Sequence, residues 1–321
     1  MSREKLVGIT GATGGLGRRV TEILLRKEIR LRILVRNMTK TKWFEDNGVE
    51  VIQGDITQSS TLKDFVSELD ICIHLAAQVS DSDKEKLMKI NVFGTENLCD
   101  AIVTYNETCR LIYCSSIVVK NYRWYMRPFL SDYTISKYEA EKVISKFKGK
   151  IKATIIYPGY IYGGYDKNFL PQIVQMLQYP IKFFVRGGEK NAPIIYVDDL
   201  CELFYLSLMN DVAVGKKYVS LEKGTIGIHD VIKMVAVNLG YTYPNKVYPR
   251  WPLVLLVRTN SILHRLLGIK KIPLSIRVIN GLSARGKYFN NAKTDLGWEQ
   301  RVCINDGITR AIEALKNRQV I

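Results

Sequence analysis

Much is scarce or missing in this sequence. Histidine occurs only three times, as His74, His229 and His264, far apart and with no carboxylate or cysteine at ligand spacing. That argues against a metal centre. No Gly-x-Ser-x-Gly elbow occurs, which argues against a Ser-His-Asp hydrolase. The six cysteines (Cys72, Cys99, Cys109, Cys114, Cys201 and Cys303) include no Cys-x-x-Cys pair, and several lie in apolar runs. Free, buried thiols in a reducing compartment are the expectation. No segment approaches the ~18 consecutive apolar residues that would span a membrane. The apolar run near the start is too short for the core of a signal peptide, so a cytoplasmic protein is expected, with contact at a membrane surface left open. Repeats, heptads and low-complexity tracts are absent. Acidic residues are outnumbered: 31 Asp and Glu stand against 47 Lys and Arg in 321 residues, a formal charge of +16. Such a surplus attracts anions. It is spread along the chain, without a basic block or a nucleic-acid motif, so nucleic acid is not an expected partner.

What is present begins with glycine. The apolar run Leu6 to Ile9 reads as a buried strand. Gly11, Gly14 and Gly17 follow at a spacing of three and three, and Val20, Ile23 and Leu24 then repeat with a helical period. Strand, glycine turn and helix form the context in which a backbone approaches a pyrophosphate and a helix N-terminus faces it. A second strand, Leu31 to Asn37, carries Arg36 where a carboxylate would accept bonds from the ribose of NAD. A guanidinium there suits a 2′-phosphate; Arg18, Arg32, Lys40 and Lys42 are further cations expected near it. This points to NADP over NAD. Strands are expected over 49–55, 69–77 and 110–116, with a helix over 86–105 between the last two. The alternation predicts a Rossmann-type, doubly wound parallel sheet of the α/β class, with ligands beyond the carboxyl ends of its strands.

The stretch "SDYTISKYEAEK" places Tyr133 and Lys137 four residues apart at the start of a helix. Residues at that spacing share a face. A phenol is a poor base at neutral pH, but a nearby ammonium favours its ionised form. Tyr133 can then serve as a general acid and base, with a hydroxyl from Ser116 or Ser115 beside it to hold a substrate oxygen.

Taken with "TGATGGLG" (10–17), "GD" (54–55), "HLAA" (74–77), "NVFGTENL" (91–98), "YCSSIVV" (113–119), "YTISK" (133–137), "YPGYIYGG" (157–164) and "IIYVDDL" (194–200), the chain resembles the extended short-chain dehydrogenases/reductases. The resemblance implies catalysis by Ser116, Tyr133 and Lys137, with Ser115 as the competing register for the serine. It implies a cofactor cradle of Gly11, Thr13, Gly14, Gly15, Leu16 and Gly17, with Arg36 at the ribose. Asp55 would take the adenine amino group beside Ile56, and Leu75, Ala76 and Ala77 would line the nucleotide. Asn91 would tie its helix to the active-site region. Tyr133 and Lys137 would also touch the cofactor, and Tyr157, Pro158, Gly159 and Ile161 would lie toward the nicotinamide amide. Tyr157 stands where the family usually has arginine, and the segment between Ser116 and Tyr133 is short.

Domain limits are expected at 1–165 for the NAD(P)-binding part, with 193–225 returning to it. Residues 166–192 and 226–321 would form a smaller α/β substrate lobe, most like the 3β-hydroxysteroid dehydrogenase and dihydroflavonol reductase branch. Arg186, Gly187 and Gly188 make either a tight turn or an approach to a substrate phosphate. The basic amphipathic segment 249–274 reads as a core helix, a lid over an apolar substrate, or a contact of 251–271 with an anionic membrane. Three functions are compatible with these residues. One is an NADP-dependent reductase or dehydrogenase acting on a carbonyl or secondary alcohol. Another is a nucleotide-sugar epimerase or dehydratase with tightly bound NAD. The last is a non-catalytic NADP-binding sensor or scaffold. A homodimer is compatible with all of them.

Overall fold

The structure is a computed structural model that describes residues 5–79, 83–123, 125, 130–179, 182–223, 226–268, 279–280, 288 and 290–321. The chain forms two compact units. The first comprises Met1–Gly159, Val197–Ser220 and Phe289–Arg301, and the second Tyr160–Tyr196, Leu221–Tyr288 and Val302–Ile321.

The first unit is built on a seven-stranded parallel sheet. Its strands are β1 (Leu6–Thr10), β2 (Arg30–Val35), β3 (Glu50–Gln53), β4 (Ile71–His74), β5 (Arg110–Cys114), β6 (Ala153–Pro158) and a last strand, Lys217–Ser220. From edge to edge the order is Lys217–Ser220, β6, β5, β4, β1, β2, β3. Register places Val7 beside Leu31 on one side and Ile71 on the other, and Ile156 beside Tyr218. Strands such as Leu6–Thr10 and Ile71–His74 are buried along their whole length, as parallel strands covered on both faces must be. The helix Gly15–Arg26 covers part of one face with Val20, Thr21 and Leu24, a stripe at the period of a helix.

The order of strands reverses between β1 and β4. Because every strand is parallel, all seven carboxyl ends share one edge of the sheet. Gly11, Arg36, Gly54, Leu75, Ser115 and Gly159 all follow a strand there. A reversal of this kind opens a crevice beyond the strand ends, the usual ligand position in an open α/β sheet.

Several expected boundaries shift. β2 stops at Val35, β3 at Gln53 and β4 at His74. Beyond β3, Gly54 is closely packed: an added Cβ there would come within 2.8 Å of the Leu34 side chain. The expected helix over 86–105 is three pieces: Lys84–Leu87, a widened turn with i→i+5 bonding over Met88–Phe93, and Gly94–Tyr105. Widened turns of this sort are frequent at functional sites. Residues Phe289–Arg301, expected in the second lobe, cluster with the first unit: Trp298 Nε1 donates to Asp199 O at 2.8 Å, and Arg301 N to Asp199 Oδ1 at 2.9 Å. Residues 160–165, expected in the first, begin the second. Among the cysteines, Cys303 is exposed and the other five are buried.

The second unit packs helices Phe169–Gln178, Ile228–Leu239 and Ile304–Asn317 around short parallel strand pairs. Its core includes Leu170, Ile173, Val231, Ile232, Ile308 and Leu315. His229 is part of that packing: its ring lies 4.2 Å from Phe184 and Nε2 is 3.0 Å from Val185 O. In the Arg186–Gly188 turn the Gly187 N–H donates to Glu189 Oε2 at 2.8 Å, so a carboxylate already holds the donor a phosphate would need. No helix among the described residues is long and apolar enough to cross a membrane.

Candidate active site

The glycine turn is shaped by close approach. Gly11 has φ +75°, and a Cβ there would lie 2.6 Å from Ala76 N. A Cβ on Gly17 would run into Gly11 O. The turn closes through Gly14 N donating to Gly11 O at 3.0 Å. The helix Gly15–Arg26 then starts with no side-chain cap and no acidic residue in its first turn, while Thr13 and Gly14 are exposed. Its first N–H groups therefore face outward from a bare backbone at the positive end of a helix dipole. A cradle that a Cβ would fill, at an uncapped helix start beside the strand reversal, fits the pyrophosphate of a dinucleotide.

Around the rim, Asp55 is half-buried and its Oδ1 accepts from Thr57 N at 2.9 Å. Ile56 is buried, with its carbonyl held by Asn97 Nδ2 at 2.9 Å. Residues Arg36 to Lys40 are exposed. Of the cations grouped with Arg36 from the sequence, two have other work. Arg32 is buried, donates to the carbonyls of Asp64, Phe65 and Ser67, and pairs with Glu50 at 2.9 Å. Arg18 lies 3.2 Å over the Trp43 ring and pairs with Glu22 at 3.0 Å. Arg36, Lys40 and Lys42 are exposed at this rim.

A chain of buried and part-buried hydrogen bonds joins the end of β1 to the turn that bears Tyr133. Ala76 N donates to Thr10 Oγ1 at 3.2 Å, and Thr10 Oγ1 is 2.7 Å from His74 Nδ1. His74 Nε2 is 3.0 Å from Thr95 Oγ1, which itself donates to Asn91 O at 2.6 Å. Thr95 spends its one proton on that carbonyl, so His74 must donate through Nε2–H and accept at Nδ1 from Thr10. Burial, with the Lys137 charge second, lowers the His74 pKa to about 3, which keeps this neutral tautomer. Asn91 accepts from Gln78 N at 2.8 Å and donates to Gln78 O at 3.0 Å and Ser136 Oγ at 2.9 Å. Ser136 Oγ donates to Tyr133 O at 2.9 Å. Asn91 stands in the widened turn Met88–Phe93.

The helix Asp132–Lys146 starts at Ser131, whose Oγ accepts from Thr134 N at 3.2 Å. Tyr133, Lys137 and Glu141 follow at intervals of four, down one face. Lys137 is buried; its Nζ donates to Cys114 O at 2.7 Å and lies 4.3 Å over the Tyr113 ring. Burial is the largest influence and lowers its pKa to about 8, against the raising effects of Cys114 and Glu141. Glu141 was given no role from the sequence. It is buried, and its carboxylate accepts from the Ser115 hydroxyl and, at 2.7 Å, from the Tyr157 hydroxyl. The repeat of four from Tyr133 was the signal that could have found it.

The two adjacent serines differ in their contacts. The Ser115 hydroxyl is committed to Glu141, whereas the Ser116 side chain does not cap the helical turn that follows it. Tyr157 is buried, its phenol on Glu141 and its ring 4.0 Å from Lys120 Nζ; burial raises its pKa. Its side chain therefore faces the helix Asp132–Lys146. Pro158 ends β6 beside Ser220, and Gly159 N donates to Ser220 O at 3.0 Å. Ile161 belongs to a strand of the second unit. Among the described residues no group of three His, Cys, Asp or Glu is placed to hold a metal ion.

Comparison with known proteins agrees with the fold. The model of the NAD dependent epimerase/dehydratase family matches residues 7–219. The chain belongs to that family, within the extended short-chain dehydrogenases/reductases, a class of NAD(P)-dependent oxidoreductases. A Stigmatella aurantiaca 4-hydroxy-2-methyl-3-oxo-4-farnesyl-3,4-dihydroquinoline-1-oxide ketoreductase is 27% identical over 60% of this chain and 61% of its own. Short-chain dehydrogenase/reductase family 42E member 1 of Xenopus laevis is 25% identical over 77% of this chain and 71% of its own. The crystal structure of gox2253 superposes with a TM-score of 0.79 and 25% identity, covering 99% of each chain.

Proposed function

We propose that this protein is an NADP-dependent oxidoreductase acting on a carbonyl or secondary-alcohol carbon of an apolar small molecule, with Tyr133 as its general acid and base. The first unit would hold the dinucleotide and the second would receive the substrate. The observation that carries the reading is the hydrogen-bonded chain from Thr10 through His74, Thr95, Asn91 and Ser136 to the Tyr133 carbonyl. It locks the strand that leads into the glycine turn to the helix that bears the phenol. A bound NADP supplies or accepts the hydride, and the protein supplies orientation and charge.

In the reductive direction the Tyr133 hydroxyl gives its proton to the substrate oxygen; in the oxidative direction it takes that proton back. Lys137, four residues on, favours the ionised phenol by its charge. Its anchoring on Cys114 O fixes where that charge sits. Ser116 would hold the substrate oxygen, since Ser115 is bound to Glu141. Arg36 would take the 2′-phosphate as a fork; its exposed place after β2 and the absence of a carboxylate there support this choice. The apolar substrate class is supported by the farnesylated ketone in the name of the Stigmatella relative. The family's name favours one other reading, an epimerase or dehydratase that retains NAD and shows no net turnover of it.

Two measurements test the proposal. Tyr133→Phe should lower turnover of NADPH with lipophilic ketones by about 10²–10⁴-fold while leaving NADPH affinity near that of the parent; a fully active variant would remove Tyr133 from the reaction. Arg36→Ala should weaken NADPH by about tenfold and leave NADH unchanged, since a charge-assisted contact of ~1.4 kcal/mol is lost from one cofactor only. Tighter binding of NADH than NADPH to the parent protein would overturn the cofactor assignment.

A further inference from the structure

The helix Arg250–Leu267 exposes an unusual amount of apolar surface. Trp251, Leu255, Ile262 and Leu266 stand at intervals of four, seven and four and are 71%, 58%, 58% and 72% exposed. That spacing puts them in one stripe along the helix. The opposite side is anchored: Val257 is buried, and Leu253 and Val254 pack against the core of the second unit. Arg250 is held by Asn280, Nη2 to Oδ1 at 2.6 Å. The stripe is therefore presented by a fixed helix. An exposed apolar stripe of this extent marks a contact surface rather than ordinary surface composition.

The sequence around it decides which contact. From Val231 to Tyr288, 58 residues within the second unit, there is no aspartate or glutamate, and there are ten lysines and arginines. These residues carry +10 of the chain's +16. Arg258 and Arg265 lie on the helix itself, at one flank of the stripe. A basic flank on the helix, set in a stretch of sequence without acidic residues, repels a like-charged second copy and complements an anionic plane. A helix with aromatic and aliphatic residues on one face and cations beside them lies along a lipid interface. Trp251 at one end suits the headgroup boundary. Crossing the bilayer is not what this helix is built for.

We propose that the helix Arg250–Leu267 docks the protein on anionic lipid surfaces, lying in the interface with Trp251, Leu255, Ile262 and Leu266 inserted. This does not depend on the reaction assigned above, and its test needs no turnover. Full-length protein is sedimented with vesicles of phosphatidylglycerol and phosphatidylcholine, and with phosphatidylcholine alone, at low and high salt. Binding should appear with the anionic vesicles, weaken as salt screens the cations, and raise a Trp251 fluorescence change that Trp251→Phe removes. The double variant Leu255→Ser/Ile262→Ser should bind at least about tenfold more weakly, because membrane affinity scales with the apolar area inserted. Its thermal midpoint and cofactor affinity should stay at parent values, and Arg265→Glu should weaken binding on its own. The proposal is overturned by absence of binding to anionic vesicles, or by binding that the variants leave intact. It is equally overturned if the apolar variants abolish a concentration-dependent dimer, or change the KM of a soluble substrate, without altering vesicle binding.

Discussion

The helices Asp132–Lys146 and Arg250–Leu267 are similar in length, and each inverts the usual placement of residues in its own way. The first buries Thr134, Ser136, Lys137 and Glu141. The second buries only Val257 and exposes six of the eighteen large hydrophobic residues that stand exposed among the described residues. Polar groups go inside only when hydrogen-bonded, and large apolar groups stay outside only at some cost in solubility. In the first helix every inversion has a partner close at hand: Ser131 for Thr134, Cys114 O for Lys137, Ser115 and Tyr157 for Glu141, Asn91 for Ser136. In the second the apolar stripe is turned to solvent and the surrounding sequence is cationic. An inversion satisfied from within holds its side chains in fixed positions. One left facing outward reads as a surface meant for something else.

The contrast can be broken from either side, and the largest effect belongs to the first helix. Glu141→Gln offers one acceptor oxygen where two hydroxyls now donate, so stability should fall by about 3 kcal/mol, the scale of a hydrogen bond to a charged group plus an unsatisfied partner. Urea unfolding measures this, and a parental midpoint would mean that the carboxylate does not hold this face.

An effect smaller over any single pH unit should come from titration. His74 titrates near 6.5 when unfolded and at about 3 when folded, so between those values the unfolded chain binds one more proton. Stability should then fall as the pH drops from 6.5 toward 3, by up to about 1.4 kcal/mol per pH unit from this group. His74→Gln should flatten that limb of the curve. Lys137 works at the other end: its pKa is about 8 when folded against 10.5 as the ordinary value. The unfolded chain again binds the extra proton between them, and stability should rise with pH over that range. The smallest effect is expected on the second helix, where Leu255→Ser should move stability by no more than about 0.5 kcal/mol, the range of exposed sites. A large loss there would show that the stripe is core after all and would erase the comparison.

Much of the first unit was legible in the sequence because its signals are local. Continuous apolar runs bounded by turns mark β1 and β4. Three glycines between a strand and a helical period mark the cradle. The interval of four between Tyr133 and Lys137 marks a shared helix face. What was not legible depended on distant partners. Arg32 read as a cation near a 2′-phosphate, yet it is buried on the carbonyls of Asp64, Phe65 and Ser67. Arg18 is taken by Trp43 and Glu22. Glu141 carried its interval of four in plain sight, but its value came from Ser115, 26 residues earlier, and Tyr157, 16 later. The segment 249–274 could be read three ways, since amphipathic periodicity says which residues share a face and not which face is covered.

By itself, then, the order of residues determined the strands, the glycine turn, the candidate phenol and ammonium, and the basic character of the whole. Those features follow from backbone sterics, side-chain period and charge, which act over a few residues. Only the tertiary structure decided which of two adjacent serines is committed to a carboxylate, which arginines are spent on carbonyls and rings, which tautomer His74 holds, and which side of Arg250–Leu267 faces water. Each of those is set by a partner far away in the chain, and hydrogen bonds and burial exist only once folding has brought the two together.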